Sequence, residues 1–271
     1  MRVSASDWKK YITKMSKLSF ATSALIEDWI NKNGVEDAKA LTDYAFGLVE
    51  EFGNGSATLS ALMYDMIAEI QGANVPPAEL AELPEYGDVA KTVYGTLKSS
   101  KNPNEIGGAV SRMVKQVGCD TTLQNAKRDR AQFAWIPSGD TCAFCLGLAA
   151  NGWQYVSKNS LKSGHAEHIH SNCDCTYAVR FSDDLSFESY DPKRYLNIID
   201  RAAENQDLLG DYRSVEGAFA GKWEQMNPKV INAVRRETYK THKEEINEQK
   251  RDNYEKRKEL NSSKAEEIDV N

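Results

Sequence analysis

Four of the chain's five cysteines and three of its four histidines lie in a single window, from Cys142 to Cys175. Two thiols stand as Cys142-Ala-Phe-Cys145. After a Gly/Ser/Lys-rich connection come His165, His168 and His170, then Cys173-Asp-Cys175. A C-x2-C pair presents two thiolates from one tight turn, and a second His/Cys knuckle completes a tetrahedron around Zn²⁺. The candidate metal residues are Cys142, Cys145, His170, Cys173 and Cys175. The preferred four are Cys142, Cys145, His170 and Cys173, with Cys175 or His168 as the substitute if the turn geometry favours it. The implied cofactor is zinc.

Other chemistries fit the window less well. Two disulfides would suit a secreted chain, but Met1 to Lys17 reads as an amphipathic, charged segment rather than a leader with an apolar core. Clustered thiols inside a cell are more often metal-bound or catalytic than cross-linked. A thioredoxin-like C-x2-C has no need of the second His/Cys knuckle. The His165-Ala-Glu167 triplet matches the H-x-E of zinc deaminases, but here it follows the C-x2-C pair, and no proline adjoins either pair. A metal-dependent hydrolase or nuclease would keep an open position on the ion, with His165, Glu167 or His168 around it.

The chain has 271 residues, 41% of them hydrophobic and 27% charged, which suits an ordinary globular protein. No apolar run approaches the roughly 20 residues needed to span a bilayer. A net charge of −6 argues against a surface that coats nucleic acid throughout. Lys115, Lys127, Arg128 and Arg130 gather just before the cysteines. With Asp120 and Asp129 among them and no glycine-rich cradle, they read as a solvated helix face. Cys119 stands apart and reads as a buried apolar thiol.

Apolar positions recur at three and four from Ser4 to Asn33, which predicts a long helix capped at Ser6 or Asp7 and stopped by Gly34. A second helix is expected from Glu36 to Phe52, ended by Gly53-Asn-Gly-Ser, and a third from Ala57 to Gln71. Pro76-Pro77 should break that third helix and open Ala78-Glu-Leu-Ala-Glu, after which the chain reads as helical again from Asp88. Helices over Asp88–Ser99, Asn104–Gly118 and Thr121–Ala131 complete the first half. Phe133–Pro137, Trp153–Val156 and Cys175–Phe181 read as short strands. Asp140 is placed to cap a helix over Thr141–Ala150 that puts Cys142 and Cys145 in its first turn, where the helix N-terminus favours thiolate. Such a sheet should have little core and depend on the ion to fold. Asp191-Pro192 opens a helix through Leu209, and Asn227-Pro228 starts a last one whose stretch from Tyr239 to Lys264 is almost wholly polar.

The run Trp135-Ile-Pro-Ser-Gly-Asp-Thr-Cys142-Ala-Phe-Cys145-Leu-Gly-Leu-Ala-Ala-Asn-Gly-Trp153, followed by His168-Ile-His170-Ser-Asn-Cys173-Asp-Cys175, resembles the minor capsid (head morphogenesis) proteins of tailed bacteriophages, the Mu F-like group. Many of those relatives approach the histidine through a Pro-rich segment, where this chain has Ser163-Gly164-His165-Ala-Glu. The resemblance implies a structural protein of the virion, in the capsid interior or at the portal vertex, and in the host cytoplasm during assembly. Its implied role is in head morphogenesis or DNA packaging and ejection, and it names no catalytic residue. The implied partners are the portal protein, the major capsid protein or both, with packaged DNA as a further candidate and no membrane.

The expected fold is mainly α with a small α+β zinc-stapled module. Residues 1–131 would form a helical body, 132–182 a short β-sheet around the Cys/His site, and 183–271 a helical region with a charged, partly disordered tail. The competing function is the metal-dependent hydrolase or nuclease. A closed set of four protein ligands would exclude it.

Overall fold

Helix α1, Ala5–Asn33, begins where Ser4 and Asp7 satisfy each other. The Asp7 amide donates to Ser4 Oγ (3.1 Å) and Ser4 Oγ donates to the Asp7 carboxylate (2.7 Å). The cap thus falls at Ser4, ahead of the expected Ser6 or Asp7, because Asp7 serves as the acidic partner three residues in. The helix ends as predicted at Gly34, whose φ of 77° only glycine adopts cheaply. The computed structural model describes residues 3–136, 143–157, 176–183 and 190–204, with single positions between Arg236 and Arg251. The described residues are mainly helical with a small three-stranded antiparallel sheet. They divide into two compact units, Met1–Ile136 with Asn151–Pro192, and Pro137–Ala150 with Lys193–Asn271.

In the first unit, helix α2 runs unbroken over Ala38–Gln71 and so corrects the expected stop at Gly53-Asn-Gly-Ser. Gly53 is buried, and a Cβ there would lie 3.0 Å from Leu83 and 3.4 Å from Val117; one at Gly55 would lie 3.4 Å from Leu18. These glycines let neighbouring chains approach, and that packing overrides their weak helix propensity. The true stop is Gly72, where the amides of Gly72 and Ala73 close onto the carbonyls of Glu69 and Ala68.

Helix α3 covers Tyr86–Ser99 and turns Val89 and Val93 inward. Helix α4, Pro103–Arg128, is also continuous, where two helices meeting near Gly118 were expected. It stops before the predicted Ala131 because Arg130 takes the left-handed position (φ 53°) that glycine usually fills, so no sequence signal marks the end. Ile26, Ile30, Leu41, Leu48, Val49, Val89, Val93, Ile106, Val110 and Val114 form the main apolar core.

Pro76-Pro77 do lie outside any helix: residues 73–85 belong to no helix or strand and run as a strap across α2 and α4. Asn125, 1% exposed, reads the Glu79 peptide from both sides: its Oδ1 accepts from the Glu79 amide (2.9 Å) and its Nδ2 donates to the Glu79 carbonyl (2.8 Å). Asp65 accepts from the Ala78 amide, Thr121 from the Ala81 amide, and Arg128 donates to the carbonyls of Pro76 and Pro77. Two prolines cannot donate along a helix, so side chains supply the partners that this backbone needs.

Strands β1 (Gln132–Ile136), β2 (Gln154–Tyr155) and β3 (Thr176–Arg180) match the expected strands and lie in the order β2-β1-β3. Trp135 pairs with Tyr177 and Phe133 with Val179, and the rings of Phe133, Trp135 and Tyr177 meet at 4.8 to 5.7 Å between centroids. The sheet is tied to α2. Gln71 accepts from the Phe181 amide (2.9 Å) and donates to the Val179 carbonyl (3.4 Å), while Tyr64 meets Phe181 edge-on at 5.5 Å. Phe133, Trp135, Tyr177 and Val179 are buried, so the sheet has an apolar side packed by the protein.

In the second unit, α5 (Ala143–Ala150) buries Cys145, Leu146, Leu148 and Ala149. Helix α6, Pro192–Glu204, starts at the predicted proline and buries Tyr195, Ile198 and Ile199 on one side; the residues expected to continue it to Leu209 lie outside the described set. The described positions between Arg236 and Arg251 are helical, and all but half-buried Asn247 are exposed.

Helix α4 closes on α1 at Gly107 and, mainly, on α2 at Gly118. A Cβ on Gly107 would fall 2.7 Å from Ser23 Oγ and 2.9 Å from the Ser23 carbonyl oxygen, and one on Gly118 would fall 2.5 Å from Ser56 Oγ. Gly47, on the exposed side of α2, has nothing within 4 Å. Two substitutions of the same kind should then act with opposite sign. Gly107→Ala should cost about 1–3 kcal/mol by overpacking backbone, and Gly47→Ala should add about 0.5–1 kcal/mol through helix propensity. Urea melts of the two variants check this, and a stabilised Gly107→Ala would show that the crossing is looser than the geometry gives.

Candidate metal centre

Of the residues proposed to bind metal, the structure describes Cys145. Cys142, His170, Cys173 and Cys175, together with His165, Glu167 and His168, lie outside the described residues. Cys145 is the third residue of α5, in the first turn where spacing placed it, and is 1% exposed. Helix α5 is apolar on every described side, as befits a buried helix, and ends at Ala150, two residues before Gly152 with its φ of 74°. Among the described residues no three His, Cys, Asp or Glu side chains converge as a metal site. A thiolate in these apolar surroundings would be costly without a compensating cation or strong donors, whereas a neutral thiol would not.

The donor-bearing segments adjoin the strands in sequence. Ile136, just before the stretch leading to Cys142, is the register partner of Thr176, the residue after Cys175. Arg180 steadies the far end of the same ladder. Its guanidinium lies 5.1 Å from the Trp153 ring centroid and bonds Gln132 and Asp183, and Trp153 in turn meets Tyr190 edge-on at 5.4 Å. The buried Trp135 indole N–H has no hydrogen-bond partner among the described residues.

The basic group before the cysteines is not one solvated face. Lys115 is buried. Arg128 is committed to Asp129 (2.8 and 2.9 Å) and to the strap carbonyls, leaving Lys127 and Arg130 exposed. Burial alone would raise the Asp129 carboxyl, but bonds from Arg128 and from the Tyr64 hydroxyl (2.8 Å) outweigh it and hold Asp129 below its usual range. Burial, reinforced by Asp129, pushes the Tyr64 phenol well above its own range. What composition could not reveal is that two of these cations are structural. The pairing of Arg128 with the strap depends on contacts 51 and 52 residues apart in sequence.

The chain is thus a mainly helical protein with a small antiparallel sheet whose strands flank, in sequence, a dense group of cysteines and histidines. It belongs to the VG15 protein family, a viral (phage) family, whose model matches residues 2–202. That match takes in every helix of the first unit, the sheet and the whole Cys/His window. No curated protein and no solved structure matches the chain.

One carboxyl on α4 is set apart by its surroundings. Burial pushes Asp120 up to about 6, and a hydrogen bond from Gln116 Nε2 (2.7 Å) only partly offsets this. Because the folded value lies above the ordinary 3.8, the stability this group contributes is present below about pH 4 and is lost as pH rises through about 6. Asp120→Asn keeps the acceptor for Gln116 without the charge. It should raise stability by about 2–3 kcal/mol at pH 7 and leave it unchanged near pH 3.5. Paired denaturant melts at the two pH values provide the check, and an equal effect at both would assign the gain to packing.

Proposed function

We propose that this protein is a structural minor capsid component of a tailed phage, associated with the portal or inner capsid and acting in head morphogenesis or DNA packaging and ejection. The observation that carries the reading is the coincidence of two findings. The chain belongs to a phage protein family, and within the matched span lies the paired Cys142/Cys145 and His170/Cys173/Cys175 motif that resembles minor head proteins. Zinc held by four of these residues is the proposed cofactor, with a structural rather than catalytic role and no enzymatic activity. Burial of Cys145 in apolar surroundings supports the closed-site reading. The proposed partners are the portal and major capsid proteins.

The metal would order the Cys/His segments, while the strands flanking them already have protein on their buried side. Purified protein should hold close to one zinc, and Cys142→Ser or Cys173→Ser should lose it. Amides of β1 and β3 should stay protected from exchange after chelation, since Gln71 and Tyr64 anchor that sheet without an ion. Co-expression with portal and major capsid protein tests the assembly role: the full chain should enter procapsids, and truncation after Thr238 should lower its incorporation. Absence of the full chain from procapsids would sink the head-protein reading, whereas metal-dependent hydrolysis abolished by Glu167→Gln would replace it with the enzyme.

A further inference from the structure

We propose that the solvent face of the first half of α1 docks on the phosphodiester backbone of a nucleic acid. Lys9, Lys10, Lys14 and Lys17 are all exposed, and no carboxylate occurs between Trp8 and Ser19. Lys10, 71% exposed, pairs with Asp7 of its own helix (3.1 Å), and Lys14 and Lys17 have no ion pair among the described residues. The apolar members of this stretch, Trp8, Tyr11 and Met15, turn inward and are buried. The helix is thus held on its apolar side and presents a row of cations on the other.

The four lysines span about 12 Å of helix at 1.5 Å per residue, a length over which duplex DNA carries about seven phosphates. Ser6, Thr13 and Ser16 supply hydroxyl donors within the same turns. The chemistry of the face selects among polyanions. None of the exposed large hydrophobic side chains among the described residues lies on α1. A membrane surface would call for an apolar face inserted beside the charges, and a protein partner for aromatic or aliphatic anchors at the centre of the interface. Point charges with interleaved hydroxyls and no apolar anchor match a backbone read without sequence preference. The inference does not rest on the assembly role proposed above.

The test uses the full chain and a fluorescein-labelled duplex DNA of arbitrary sequence, followed by anisotropy from about 50 to 200 mM salt. Wild-type protein should bind, with log affinity falling steeply against log salt. The triple substitution Lys10→Gln, Lys14→Gln, Lys17→Gln should weaken binding at least tenfold at low salt and reduce the salt slope by about 3, one for each phosphate contact removed. These side chains are exposed, so its thermal melt should match wild type. A control with the same change in charge, Lys91→Gln, Lys98→Gln, Lys101→Gln on and after α3, should bind like wild type. No binding by wild type, equal binding by the α1 variant, or equal loss in the α3 control would each overturn the proposal. So would binding to phosphatidylserine vesicles without binding to DNA.

Discussion

The close approach of α1, α2 and α4 is the constraint on which the rest of the first unit depends. Without a side chain at Gly118, the α4 backbone comes within van der Waals range of Ser56, Ser60 and Met15. Hydroxyls then line the crossing, and each finds a partner. Ser60 bonds the buried Tyr11 hydroxyl (3.0 Å), Thr121 bonds the Val117 carbonyl (2.8 Å), and Ser56 points to the Met15 sulfur at 3.8 Å. Larger residues would separate the helices, and unsatisfied hydroxyls would make the crossing costly. Since both conditions are met, α2 continues through Gly53 and Gly55, with its first half in the apolar core and its last turns at the sheet. A helix broken at Gly53 would leave the sheet without the Tyr64 and Gln71 contacts that fix it.

The same few polar side chains solve a second problem, the backbone that is neither helix nor sheet. Asn125 satisfies both polar groups of the Glu79 peptide unit, and Gln71 does the equivalent at the edge of β3. In each case one primary amide copies the donor and acceptor pattern of a neighbouring strand. Buried main-chain groups left without partners cost about as much as a lost hydrogen bond each. Placing an Asn or Gln on a helix beside an irregular segment is therefore a local substitute for extending the sheet. It also ties sequence-distant parts together, Glu79 to α4 and Phe181 to α2.

How much of this could be read from the sequence follows from the range of the forces involved. The apolar period of α1, its end at Gly34, the end of α2 at Gln71, the proline start of α6 and the three short strands are near-neighbour effects, and each was legible. The breaks expected at Gly53 and near Gly118 were not real, because glycine looks the same in sequence whether it ends a helix or lets another helix approach. Contacts from Leu83, Val117 and Ser56 decide between these outcomes. The break at Pro76-Pro77 was legible, but the anchoring of the strap over 73–85 was not, because the amides of Glu79 and Ala81 bond side chains 46 and 40 residues away. The Cys/His window was legible as chemistry from spacing alone. Of its proposed ligands only Cys145 falls among the described residues, where it is buried.

Charge shows most plainly why position along the chain differs from role. The sequence draws the eye to the basic residues just before Cys142, yet two of them are committed to the fold: Lys115 is buried, and Arg128 ties Asp129 to the strap. A cation fixed by a buried carboxylate and two carbonyls has little to offer a partner without loosening the strap. The lysines of α1 arouse less interest in the sequence, because they read as the polar side of an ordinary amphipathic helix. In the fold they are fully outside, along one half of a helix whose other side is fixed by Tyr11, Met15 and Ile26. A net charge of −6 therefore describes the chain without describing its surfaces. The cations open to recognition are those the interior does not use, and the lysines of α1 are among them.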